Sequence, residues 1–292
     1  MTIRIEPLTD VECVLGESPM WDPDAERLYW VDSFGRMIHH VRPDGSELGH
    51  VRVSANIGSM VLDTDGKAMA AMKTGIHRID LDSGESERLH HPEKPRPANT
   101  LNDSKVDRAG RMWFGSIAGG DHADASLYRL DPDLSLHVLD GGIGISNGPC
   151  FAPDDATFYF SDSAAETVYA YDFDVASGSL SNKREFRTAP AAGASVDGAT
   201  VDAEDHYWCA HVYGSRIARY TPEGTRVLEI ALPAAAVTSV MFGGPDLDIL
   251  YVTSMKTPLS RPVAPGPLAG RLFAITGLGI TGVAEPKFGC RG

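Results

Sequence analysis

The chain writes one phrase six times, with variations. Each copy holds a short apolar strand, a turn rich in Asp, Gly or Pro, and a second apolar strand. The second strands read LYWVD (28–32), AMAAM (68–72), MWFGS (112–116), FYFSD (158–162), YWCAH (207–211) and LYVTS (250–254). A third strand follows each of them, from MIHHV (37–41) in the first copy to RLFAI (271–275) in the last. Turns such as DPDAER, DRAGR and APDDAT are of the kind that tight hairpins require. Helical periodicity is nearly absent, so the chain reads as all-β.

The apolar residues just before the turns are Trp21, Leu62, Val106, Phe151, Val201 and Phe242, spaced 41, 44, 45, 50 and 41 residues apart. A four-stranded unit repeating at about 40–50 residues is the signature of a propeller blade. The expected fold is therefore an all-β six-bladed β-propeller, one domain over residues 1–292. One blade is completed by a strand from the opposite terminus, and the repeat does not say which strand.

Composition narrows the function. With 26 basic against 40 acidic residues, the formal charge is −14. That balance, without a basic run, argues against a nucleic-acid partner, which needs clustered Lys and Arg. No apolar run reaches signal-peptide or bilayer-spanning length, so a cytoplasmic protein with no membrane partner is expected. Cys13, Cys150, Cys209 and Cys290 form no CxxC pair, which argues against a zinc knuckle. The oligomeric state is not readable.

The opening strand of each copy is the innermost strand of its blade. Four residues before each pre-turn apolar residue stand Glu17, Gly58, Asn102, Asn147, Asp197 and Thr238. Strand side chains alternate with period two, so a step of four keeps one face. These six residues are expected to ring one mouth of the central channel. Two carboxylates at one height repel unless something neutralises them. Oxygen ligands from Glu17, Asn147 and Asp197, completed by water, suit a hard divalent cation. An oxygen-only set admits calcium, magnesium or manganese.

Other chemistry finds less support. DTDG and DFDVASG resemble calcium loops, but the sixth and twelfth positions of an EF-hand are Ala68 and Thr74 in one and Ser177 and Lys183 in the other. Glycine and glutamate are required there. The glycines of GGIGISNG do not join a strand to a helix, and no G-x-S-x-G elbow is present. Alternation turns Ser18 away from the ring, which argues against a serine nucleophile.

Four segments carry a family pattern: LGESPMWD (15–22), NDSKVDRAGRMWFGS (102–116), SNGPCFAPD (146–154) and VDGATVDAEDHYW (196–208). Together they resemble the senescence-marker-protein-30/gluconolactonase family, also called regucalcin-like, over nearly the whole chain. The resemblance implies a six-bladed propeller with one catalytic divalent metal, and it extends the metals to zinc and ferrous iron. It implies hydrolysis of sugar lactones, or of organophosphates in some relatives. It also implies metal ligands at Glu17, Asn147 and Asp197 and a substrate contact at Asn102. One departure stands out: the arginine usual two positions before that Asn is Thr100 here. Arg96 is a candidate replacement from a neighbouring loop. In the loop 118–124, Asp121 and His122 are candidates to face substrate, and His211 is a candidate for the pocket wall.

The expected activity is opening of a small lactone. Water attacks a metal-polarised carbonyl, Asp197 serves as general base, and Asn102 and Thr100 lie beside the substrate. A metal-dependent phosphotriester hydrolase and a non-catalytic calcium-binding scaffold are the alternatives.

Overall fold

A computed structural model of the chain describes residues 2–188, 194–259 and 261–290. The described residues form six four-stranded antiparallel sheets and no helix. The innermost strands are Gly16–Asp22, Ile57–Leu62, Thr100–Val106, Ser146–Phe151, Ser195–Val201 and Val237–Gly243. Each packs against the next and the sixth packs against the first, closing a ring. The protein is a six-bladed β-propeller. The N-terminal strand Arg4–Pro7 supplies the outermost strand of the sixth blade, pairing Arg4 with Thr276 and Pro7 with Phe273.

The core lies between blades. One apolar cluster runs from Met20 and Val31 through Met60 and Met69 to Phe114, joining the first three blades. Trp30, Trp113 and Trp208 are fully buried on second strands. The turns help to orient two of these indoles. Asp107 accepts from Trp113 Nε1 at 2.8 Å and from Arg111 Nε at 2.6 Å. Asp202 repeats the device with Trp208 at 2.7 Å and Arg219 at 2.7 Å. A buried carboxylate is tolerated in each place because charged and neutral donors both satisfy it.

Regular alternation along the inner strands is not what the structure shows. All six carry a bulge at or just after the ring residue, as between Glu17 and Met20, between Ile57 and Ser59 or between Leu101 and Ser104. An unpaired extra residue breaks the period of two and re-aims the backbone. The six ring positions are equivalent, but a step of four along these strands does not keep one face. Ser18 adopts a left-handed φ of 49° at its bulge, and Gly148 adopts 52° at the equivalent point. At Gly148 a Cβ would also stand 2.7 Å from the Asp197 carbonyl, so the bulge there requires glycine.

The C-terminal segment crosses the far end of the channel, where the inner strands finish. Gly282 N donates to Leu247 O at 2.8 Å, Phe288 N to Leu62 O at 2.7 Å and Gly289 N to Gly110 O at 2.9 Å. Glu285 reaches the channel lysine Lys105 at 2.8 Å. The ring residues lie at the opposite end, near the starts of the same strands.

Candidate active site

Ring position by ring position, the backbone decides which side chains enter the channel. Gly58 contributes none, because a Cβ there would lie 2.6 Å from Asn102 Cα. Thr238 is fully buried and donates its hydroxyl to the Gly16 carbonyl. The other four, Glu17, Asn102, Asn147 and Asp197, line one cavity of about 170 Å³. Ser163 and Ser195 complete its polar lining. Its wall is apolar, formed by Leu15, Ile117, Ile145, Val212, Met255 and Leu259, with Tyr213 at the side.

The amides are held in fixed orientations. Asn102 Nδ2 donates to Asn147 Oδ1 at 2.6 Å and to the Ser146 carbonyl at 2.7 Å. Both of its amide hydrogens are thus committed, and its Oδ1 is left as an acceptor. Asn147 Nδ2 donates to Ser163 Oγ at 2.8 Å, and Ser163 Oγ donates to the Val196 carbonyl at 2.5 Å. This chain ties Asn147 to the strand that carries Asp197.

The electrostatics are strained. Glu17 has its pKa raised well above the usual carboxylate value, first by burial and then by the charges of Asp197 and Asp103. Asp197 is raised for the same reasons, burial first and Asp103 second. Among the described residues, Glu17 Oε2 is buried without a hydrogen-bond partner. A buried carboxylate oxygen with no donor is costly unless a cation or proton meets it.

Asp103 escapes the sequence reading. It is buried, accepts the Gly148 N–H at 2.9 Å, and is lifted to about 6 by burial. The bulge explains the omission: residues 102 and 103 both serve the channel, whereas strict alternation sends one of them away. Ser163, Tyr213 and the apolar wall also escape it, since they belong to second strands and loops outside the repeating inner phrase. The side chain of Ser18, expected to turn away, bonds the backbone of Met60 in the second blade.

Other candidates lie elsewhere. Thr100 is half-buried beside Ile117, with its hydroxyl 3.4 Å from the Leu101 carbonyl, and does not line the cavity. Asp121 and His122 are exposed and outside the lining. Their loop is pinned at both shoulders, by Gly119 N to Asn99 Oδ1 at 2.9 Å and by Asn99 Nδ2 to Asp124 Oδ1 at 3.1 Å, so its tip extends into solvent. Arg96 is committed to Glu93 at 2.7 Å, to the Asp124 carbonyl at 2.7 Å and to Tyr128 at 3.0 Å. Glu93 is 1% exposed and its charge demands those partners. His211 is fully buried, 3.3 Å from Cys209 Sγ and 3.2 Å from the Tyr220 hydroxyl, away from the cavity.

Fold and site together define a six-bladed propeller with an acidic, oxygen-lined channel mouth. A family model described as the SMP-30/gluconolactonase/LRE-like region matches residues 15–256, and the chain belongs to that family. A pentonolactonase of Haloferax volcanii is 38% identical over 255 residues, covering 86% of this chain and 85% of that protein. A 6-deoxy-6-sulfogluconolactonase of Pseudomonas putida is 34% identical over 279 residues, covering 94% and 95%. Among solved structures, a luciferin-regenerating enzyme superposes with a TM-score of 0.92 at 28% identity, covering 99% of this chain and all of that one. Among the described residues no helix is long and apolar enough to cross a membrane.

Proposed function

We propose that this protein hydrolyses a small sugar lactone with the help of one divalent cation held by Glu17, Asn147 and Asp197. The observation that carries the reading is the convergence of two buried carboxylates and an oriented amide on one cavity, with a Glu17 oxygen left unpartnered. The donor set fits a hard cation, because it offers only oxygens and carries excess negative charge. Relatives that match over most of their length are named as lactonases, which supports the same reading.

When bound, a divalent cation polarises a carbonyl and acidifies water. The chain's own residues supply the rest. Asp197 takes the proton of the water that attacks the lactone carbonyl and returns it to the departing ring oxygen. In the metal-free protein burial and Asp103 raise its affinity for a proton, whereas a bound cation would lower that affinity and keep the carboxylate ionised. Asn102 offers Oδ1 to a substrate hydroxyl, its N–H groups being spent on the frame. The Ser163 hydroxyl keeps Asn147 turned. The apolar wall excludes bulk water from the ring carbons and strengthens every charge interaction inside.

Hydrolysis of a panel of aldonolactones, followed by acid release, tests the proposal. The protein is chelated, then calcium, magnesium, manganese, zinc or ferrous iron is restored singly. Activity should vanish on chelation and return with at least one metal. Equal turnover by chelated protein, or turnover of a phosphotriester alone, would refute it.

A further inference from the structure

The charge inside the cavity and the charge at its mouth do not match, and the mismatch points to a substrate class. Among the described residues, every charged one that lines the cavity is a carboxylate, Glu17 and Asp197, with Asp103 below them. The wall from the third blade adds no cation, because Thr100 is neutral and Arg96 is committed elsewhere. Across the mouth the situation differs. Leu259 is part of the lining, and two residues further on Arg261 rests against two other lining residues. Its guanidinium carbon lies 5.4 Å from the centre of the Tyr213 ring. Its Nη2 is 3.5 Å from Ser195 Oγ.

That guanidinium is positioned without being used up. Its polar contacts among the described residues are long, 3.5 Å to Ser195 and 3.6 Å to Glu166 Oε1. The Glu166 side chain is 54% exposed, so this ion pair is weak and exchangeable. The backbone that carries this ring is in a costly conformation. Tyr213 has φ of 64°, a region that bulky residues seldom occupy. Strain of this kind persists where the surroundings enforce it, and it gathers at functional sites.

We propose that Arg261 is a specificity residue that receives an anionic substituent, a carboxylate or its equivalent, carried by the lactone at the end remote from the reacting carbonyl. The inference rests on the lactonase reading and deepens it. A guanidinium fork matches a planar carboxylate through two parallel N–H···O bonds. An anionic substrate entering an acidic channel needs such a fixed countercharge, whereas a neutral polyol does not. The apolar residues of the lining then contact the carbon skeleton.

The test compares glucarolactone, which carries a free carboxylate, with gluconolactone, which does not, on the metal-loaded protein and on Arg261→Gln and Arg261→Lys. Wild type should have the higher kcat/KM for glucarolactone. The ratio of the two values should fall about tenfold to a hundredfold in Arg261→Gln, the range for loss of a charged hydrogen-bonding partner. Arg261→Lys should fall between them, keeping the charge without the fork. A calorimetric arm is independent of turnover: glucarate should bind wild type more tightly than gluconate, and Arg261→Gln should lose that preference. A ratio changed less than about twofold, or no glucarate preference in wild type, overturns the assignment of Arg261 while lactone hydrolysis stands. A wild type that opens neither lactone and binds both acids equally overturns both readings.

Discussion

Asp103→Asn should stabilise the metal-free protein at alkaline pH, and the size of the gain follows from one buried carboxyl. Burial lifts Asp103 from 3.8 to about 6, against the opposing pull of the Gly148 N–H and the Lys105 ammonium. The folded pKa exceeds the unfolded one, so the native state keeps a proton that the unfolded chain releases. Stability is greatest below the unfolded value and falls as pH rises through about 6. At 1.36 kcal/mol for each unit, the loss from Asp103 is about 3 kcal/mol. Glu17 and Asp197 are shifted in the same direction and steepen the fall. Asparagine keeps an acceptor for the Gly148 N–H and has no proton to lose. Urea denaturation of chelated wild type and Asp103→Asn from about pH 4 to about pH 8 measures the effect. Wild type should weaken across the series, with the variant pulling ahead by up to about 3 kcal/mol at the alkaline end. A divalent cation should restore wild type there by binding only the native state. The reasoning is refuted if chelated wild type gains stability over that range, or if the variant is equally sensitive to pH.

Glu17→Gln and Asp197→Asn should each abolish lactone turnover while leaving chelated protein folded and more resistant to urea than chelated wild type, because each removes one of the repelling buried charges. Thr100→Ala should change kcat/KM less than about twofold, since its hydroxyl makes only a long bond to the Leu101 carbonyl and lies off the cavity. Glu285→Gln should cost about 3 kcal/mol by denaturant midpoint, for it strands the Lys105 ammonium, 8% exposed, inside the channel. The double variant Lys105→Met with Glu285→Leu should recover much of that loss.

Much of the fold is written locally, which is why the sequence reveals it. Each blade repeats its own turn and its own pair of apolar strands, and the pitch of Trp21, Leu62, Val106, Phe151, Val201 and Phe242 counts the blades. The ring is legible for the same reason: equivalent positions in a repeat occupy equivalent places, even though the bulges break the alternation used to justify it. What escapes depends on contacts that no repeat encodes. Asp103 is hidden by the bulge. The pairing of Arg4–Pro7 with Phe273–Thr276 and of Lys105 with Glu285 joins residues more than a hundred positions apart. Arg96 looks available in sequence, but the buried Glu93 claims it. Arg261 is silent in sequence because its loop belongs to no blade strand, and only the position of Tyr213 and Ser195 gives it a place.

The most direct measurement is a titration of chelated protein with a single divalent metal, reading lactone hydrolysis and bound metal together. Activity should rise from zero in proportion to bound metal and level at one ion per chain, with Asp197→Asn inactive at every ratio. Hydrolysis that is already full before any metal is added, or that does not track occupancy of the Glu17, Asn147 and Asp197 site, would contradict it.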